Sequence, residues 1–390
     1  LVFNEVSNLK KKNKELEIES ALEKVRAVAM GMHKPDDMLG VCKILYHELK
    51  SLGFDDLRNA MIHSFPEDNV FFINYDYSLK TGGQVAQIPV KGNTSIEKFV
   101  KAIRKSANAF HHLVVKGKEL KDWITFRKAN KEPNDPRLNK IESLHYYNYS
   151  VGNSGIGIST YSPITKEKQQ LLQRFRNVFQ LAYQRYADIM LAEAQVREAQ
   201  IEASLERVRS RSLSMHNTSE LQDVIHTVHK ELLNLNIAIN GGSFIAINSD
   251  IETTLRCWGS GGTANTTEEV HIPLYKKPFC TNLINRIKKG PGFFTEAFTQ
   301  KEKKDFFTFL FKHEPWSKLK AKEKKETLSS PGGYTRSCFV SNHTSIFIIN
   351  HLGEIFSTAD NEILQRFGKV FEQSYTRFLD LQKAEVSARE

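Results

Sequence analysis

Apolar and small residues recur at intervals of four and three in two separate stretches. The first is Ile18, Leu22, Val25, Ala29 and Met32, and the second is Ile201, Leu205, Val208, Ser212 and Met215. Glu and Arg fill most positions around them, so each stretch predicts a helix with one narrow apolar seam, spaced like the a and d positions of a coiled coil. Ile201 − Ile18 and His216 − His33 both equal 183, so the repeat carries no internal gap. This predicts a module of about that length used twice, each copy entered through a helix able to pair with a sister chain.

The pattern beyond each seam supports the duplication. Met38, Val41, Cys42, Leu45, Leu49 and Leu52 predict an amphipathic helix that starts at Pro35, Asp36 and Asp37 and stops at Gly53. Leu221, Val224, Ile225, Val228, Leu232 and Leu235 predict its counterpart. Strands follow: 59–65, 69–77 and 84–90 in copy one, and 243–248, 254–258 and 269–274 in copy two, with turns at 81–83 and 259–262. A helical middle rich in aromatics comes next, then strands at 144–151 and 155–161, matched by 334–340 and 345–351. Each copy closes on a long helix carrying Leu-Gln-Arg-Phe-x-x-Val-Phe, at Leu172–Phe179 and Leu364–Phe371. No Pro or Gly interrupts the chain from Leu171 into the second seam. Ala384, Glu385, Arg389 and Glu390 repeat Ala192, Glu193, Arg197 and Glu198, which predicts that a further module or an output domain follows in a parent protein.

The expected class is α+β: two domains, each an antiparallel sheet flanked by helices, joined by long coiled-coil helices. The boundaries read as a coil over 1–33, a domain over 34–187, a connecting coil over 188–216, a domain over 217–379 and the start of another connecting helix over 380–390. Composition changes little. Of 390 residues 40% are apolar, enough for two cores, and no apolar run reaches the ~20 residues of a membrane helix, so no membrane partner is expected. The net charge of +10 is spread over lysine-rich faces and not gathered in one patch, which argues against direct nucleic-acid binding. Cys42, Cys257, Cys280 and Cys338 have no paired spacing and read as reduced thiols of a cytoplasmic protein.

The element order and the Leu-Glu-x-Val-Arg-x-x-x-x-x-Met-His phrase ahead of each module resemble the tandem GAF-type sensory modules of bacterial signalling proteins, the sensor histidine kinases among them. The resemblance implies a non-enzymatic input region that senses a small molecule, or simply transmits and dimerises. Its output domain would lie downstream, a histidine kinase or, in the alternative, the DNA-binding part of a transcription regulator. The specialised signatures of the family are missing. Asn139-Lys140 lacks the rest of a cyclic-nucleotide motif, Cys280 lacks the setting of a bilin cysteine, and no methionine-sulfoxide-reductase cysteine set is repeated. No cofactor is expected.

Individual chemistry is sparse. His226 and His229 stand at i, i+3 on a helix without a third ligand, so no metal site is expected. His111-His112 reads as a loop at the edge of the aromatic cluster. His33 and His216 sit at a helix end, with no phosphotransfer hairpin after them. Gly152–Gly157 leads into a strand and reads as a hairpin turn, not a phosphate loop. The aromatic middle remains. Trp123 and Phe126, and Phe306, Phe307 and Trp316, either line a ligand cavity beside the sheet or fill it.

Overall fold

The computed structural model describes the chain apart from residues 1, 67–69, 131, 133–134, 251–253, 262–268 and 390, and the side chains of 2–4, 218, 250, 385 and 388–389. The expected Gly262 end of a turn, the first residue of the 69–77 strand and the Glu390 end of the last repeat lie outside the described residues. Two compact units emerge, Leu1–Ala194 and Gln195–Glu390.

In the first unit, α1 (Val2–Met30) and α2 (Met38–Ser51) lead into β1 (Leu57–Ser64), β2 (Phe71–Ser78) and β3 (Gly82–Pro89). Then come α3 (Thr94–Ile103), β4 (Phe110–Lys116), α4 (Gly117–Ala129), β5 (Ser143–Val151), β6 (Ser154–Thr160) and α5 (Lys166–Leu213). The strands form one antiparallel sheet in the order β3-β2-β1-β6-β5-β4. Alternation decides what each face meets. Ala60, Ile62, Tyr75, Tyr147, Ile156 and Ile158 pack on α1, α2 and α5. Met61, Leu144 and Tyr146, and Phe65, Phe72 and Ile88, pack on the other face under α4 and α3. Asn93 starts α3 by accepting hydrogen bonds from the Ser95 and Ile96 amides, at 3.0 and 3.2 Å.

The second unit repeats this plan. Its elements are α6 (Leu221–Asn234), β7 (Gly242–Ile247), β8 (Thr254–Ser260), β9 (Val270–Pro273), α7 (Pro278–Lys289) and β10 (Gly292–Phe298). They continue with α8 (Gln300–Leu310), α9 (Ala321–Ser329), β11 (Tyr334–Val340), β12 (Thr344–Asn350) and α10 (Thr358–Arg389). The sheet order β10-β11-β12-β7-β8-β9 is that of the first sheet, strand for strand. Two such α+β units are compatible with two GAF-like domains. Among the described residues no helix is long and apolar enough to cross a membrane.

The seams differ from expectation. Ile18, Leu22, Val25, Ala29 and Met32 are buried inside the first unit, in one cluster with Val41, Leu45 and Leu49 of α2 and Leu172, Phe175 and Phe179 of α5. Ile201, Leu205, Val208 and Met215 are buried likewise with Val224, Val228, Phe367 and Phe371, and Ser212 bonds the Val208 carbonyl at 2.7 Å. The four-three spacing describes any helix that shows a narrow stripe to neighbours crossing at a shallow angle, and here those neighbours belong to the same chain. Ion pairs flanking the seams are duplicated too. Arg174 holds Glu15 and Glu19, and Arg366 holds Glu198 and Glu202; Lys24 holds Glu48, and Arg207 holds Glu231. Much of 1–33 and 188–216, expected as coil outside the domains, is therefore domain structure.

A different stripe of α1 has no partner among the described residues. Residues 5–17 are all exposed, with Leu9 at 63% and Leu16 at 61%. Between Leu16 and Ile18 the apolar stripe jumps two residues, ~200° around the helix, from an outward face to an inward one. Leu191 and Val196 of α5 and Leu381 and Val386 of α10 are exposed as well.

The aromatic middles also hold strands that were not expected. His111 and His112, read as loop, lie in β4 and pair with Asn148 and Tyr147. Phe293 and Phe294, read with the helical middle, lie in β10. Both are edge strands, and their short mixed sequences lack a clean period-two signal.

Candidate functional site

Between sheet and roof helices the first unit holds a cavity with about 570 Å³ of space between protein atoms, open solvent at its mouth included. Its floor is polar. Asn59, Met61 and His63 of β1, Asn74 and Asp76 of β2, and Tyr146 and Asn148 of β5 all reach it by strand alternation. Arg58 joins them because the β1–β6 register slips between Leu57 and Asn59. Trp123, Phe126 and Arg127 of α4 and Ile96 and Phe99 of α3 form the roof. Glu132 closes one side.

Charge is dense for a protein interior. Arg58 is buried and donates to Asp135 at 3.1 Å and to Ser159 at 3.3 Å. Asp135 is also gripped by Arg137, at 2.8 and 2.9 Å. Against the upward push of burial, the Arg137 hydrogen bonds and the Arg58 charge hold Asp135 down to about 2. Arg127 donates to Glu132 at 2.8 Å. Both Arg58 and Arg127 lie near the Trp123 ring, at 5.8 and 4.9 Å from its centroid.

Among the described residues no ion pair includes Asp76. One oxygen, Oδ2, accepts from Asn59 at 3.2 Å. Burial raises its pKa, and the charges of Arg58 and Arg127 offset this only in part. Among the described residues several polar atoms make no hydrogen bond: the Tyr146 hydroxyl, Asn74 Oδ1 and His63 Nδ1. Burial pushes the Tyr146 phenol well up and the His63 imidazole down to about 4, so both are neutral near pH 7. His63 Nε2 lies 3.2 Å from Asn148 Oδ1, and its ring stands edge-on to Phe99. Gly157 gives that amide its room, since a Cβ there would meet Asn148 Oδ1 at 2.1 Å. Unpaired buried polar atoms cost free energy, so such a set facing one cavity marks a place built to receive polar groups.

The second unit has a cavity too, about 640 Å³ of space between protein atoms with open solvent included, and its lining is mainly apolar, with Arg336 and His351 among its few polar members. Phe279 stacks on Phe306 at 4.2 Å, with Phe298 and Tyr334 each 4.6 Å from it. Phe307, Trp316 and Cys280 complete much of the wall. Arg336 is buried and donates to the Phe279 carbonyl at 3.0 Å and to Glu296.

Register makes the two floors comparable. Ile62 and Ile245 hold the same place, each facing its helical layer and pairing with Ile156 or Ile346. Counting from them, Asn59 becomes Gly242, His63 becomes Ala246, Asn74 becomes Cys257 and Asp76 becomes Gly259. On the far strands Asn148 becomes Cys338, Gly157 becomes Phe347 and Ser159 becomes Ile349.

Each candidate aromatic lies on a cavity wall: Trp123 and Phe126 in the first unit, Phe306, Phe307 and Trp316 in the second. Sequence reasoning missed Arg58, Asn59, His63, Asn74, Asp76, Arg127, Glu132, Tyr146 and Asn148. A signal was present, since the register shift of 183 sets Asn59, His63, Asn74 and Asp76 against Gly242, Ala246, Cys257 and Gly259.

The other motifs resolve into local structure. His226 and His229 lie 3.3 and 3.0 Å from Ser260 and Ser243. His33 and His216 are exposed, and their amides donate to Asp37 and Glu220, at 2.8 and 3.3 Å, at matching helix ends. Gly152 has φ +59° in the β5–β6 turn. All four cysteines are buried and free. Among the described residues no group of three His, Cys, Asp or Glu is placed to hold a metal.

No family model matches the chain, and no curated protein matches it. Among solved structures it is similar to the bacteriophytochrome RpBphP3 from the photosynthetic bacterium R. palustris, with a TM-score of 0.33 and 10% identity. That match covers 86% of this chain and 62% of the bacteriophytochrome chain.

Proposed function

We propose that this chain is the sensory and dimerisation input region of a bacterial signalling protein, with a small-molecule effector bound in the first unit. The observation that carries the reading is the polar floor of that cavity, where Asn59, His63, Asn74 and Asp76 stand at the places held by Gly242, Ala246, Cys257 and Gly259 in the second unit. The effector binds one of two states better, and the helices packed on the sheet pass the difference to a downstream output domain. A cytoplasmic histidine kinase suits the connector phrase ahead of each module. No step of chemistry is assigned to the segment itself.

Self-pairing runs through α1, but on its outward face and not through the seams. Val6, Leu9, Asn13 and Leu16 follow a three-four-three spacing, with Asn13 at an interior a position, where a polar residue fixes register. In a parallel pair Glu5 meets Lys10 of the other copy and Lys12 meets Glu17, both attractive. Sedimentation should find a dimer that Leu9→Glu with Leu16→Glu turns into a folded monomer; a monomeric parent chain removes this part of the reading.

The sensing role is tested by incubating the 390-residue chain with fractionated bacterial metabolites and weighing it by native mass spectrometry. One small molecule per chain should be retained, and lost in Asn74→Cys with Asp76→Gly, which copies the second floor. A chain that emerges bare from every fraction overturns the proposal.

A further inference from the structure

We infer that the first-unit cavity takes a small zwitterion, namely an α-amino acid with an uncharged apolar or aromatic side chain. The inference rests on the sensory reading of that cavity and adds the chemistry of its ligand.

Charge balance is the first argument. Arg58 and Arg127 line the cavity, and so do Glu132 and Asp76. Two cations face two acids, so a ligand of zero net charge leaves the balance intact. A lone anion would sit against Asp76 unopposed, and a lone cation against the guanidinium groups; in so dry a place either mismatch is heavily penalised.

Placement is the second argument. The charges of Arg58, Arg127 and Glu132 all act on Asp76 and on Tyr146, so donors and acceptors share one end of the cavity. Asp76 spends one oxygen on Asn59 and keeps Oδ1 for a donor such as an ammonium group. Arg58 spends Nε and Nη1, and Arg127 spends Nε, which leaves Nη groups for a carboxylate. The Tyr146 hydroxyl, without a partner, is a further donor. An ammonium and a carboxylate on one carbon fit such mixed surroundings; a single functional group does not use them.

The remainder of the cavity sets the side chain. Phe72, Ile88, Ile96, Phe99 and Phe126 offer apolar walls and no formal charge. A charged or long polar side chain would be buried there without a partner. The second unit gives the internal control: Gly259 stands where Asp76 does, and the stacked Phe306 and Phe279 present an apolar wall.

Isothermal titration of the full chain tests this with leucine and phenylalanine. The comparison compounds are their decarboxylated amines, their deaminated acids, and adenine and uracil as uncharged polar rings. At least one amino acid should bind ten-fold or more tightly than both its amine and its acid. Asp76→Asn should weaken the amino acid ten-fold or more while leaving the acid unchanged. Arg127→Gln should weaken the amino acid and leave the amine unchanged. Near-ultraviolet circular dichroism confirms that both variants keep their packing. An amine, an acid or a nucleobase that binds as tightly as the amino acids overturns the inference. So does the absence of amino-acid binding. If metabolite fractions still yield a retained molecule, the ligand class alone has failed; if they yield none, the sensory reading has failed with it.

Discussion

The two cavities occupy the same place in the same topology, yet where Asn59, His63, Asn74 and Asp76 stand on the sheet of the first unit, Gly242, Ala246, Cys257 and Gly259 stand on the sheet of the second. The helical layers on the opposite face did not diverge in this way. Ile62 and Ile245, Phe175 and Phe367, and Phe179 and Phe371 keep their chemistry, and the flanking ion pairs are repeated. The lesson is that the two faces of each sheet answer to different demands. One face only has to hold three helices together. The other is packed for cohesion in the second unit and left polar, at a cost, in the first.

The largest test of that contrast is truncation of a roof aromatic in each unit. Phe306 is buried against Phe279, so Phe306→Ala should destabilise the second unit by about 3–5 kcal/mol. Phe126 is only partly buried over the polar cavity, so Phe126→Ala should cost about 1–2 kcal/mol. Denaturant unfolding of each unit, followed by hydrogen exchange, reads both; equal costs would erase the contrast.

Acid comes next. His63 is neutral in the fold with its pKa near 4, against 6.5 for the free side chain. The unfolded chain takes up the proton below 6.5 and the folded one only near 4, so stability drops across that window by about 3 kcal/mol and then levels off. His63→Gln should flatten this part of the pH profile of β1 and β5 exchange. Ala246 stands at that place in the second unit, whose own largely buried imidazole, His351, is also held down to about 4 by burial, so exchange of the matching strands should keep its pH dependence in the variant. An unaltered profile in the variant would mean that His63 is not buried neutral.

The smallest effect is at Asp76. Its pKa is raised in the fold, so its stabilising contribution is complete below the free value of 3.8 and is lost as pH rises through the folded value. Asp76→Asn should therefore stabilise the ligand-free first unit at pH 7, by about 1 kcal/mol, and change nothing at pH 3. Thermal unfolding at the two pH values checks it; a destabilised variant at pH 7 would show that the charged carboxylate is stabilised by more than the Asn59 hydrogen bond.

Much of the fold was legible because repetition is legible. The 183-residue repeat of the seam phrase, the shared closing helix at a shift of 192 and the strand signals set out two α+β modules. The seams were misread for a physical reason. A narrow apolar stripe states that a helix has a neighbour, not whose chain the neighbour belongs to, and Val41, Leu45 and Phe175 were already there to receive it. The polar floor was hidden by the same logic in reverse. Asn59, His63, Asn74 and Asp76 alternate with apolar residues as the solvent side of a half-buried strand would, and only the roof of α3 and α4 turns that side inward. Trp123 and Phe126 were found because large aromatics announce burial; the groups they cover do not.

The jump of the apolar stripe in α1 has its own consequence. Leu16 looks outward and Ile18 looks into the first unit, so one stiff rod carries apolar side chains on nearly opposite sides within a single turn. Any grip taken on the outer side would be coupled to the inner one: twisting the rod about its long axis moves both by the same angle.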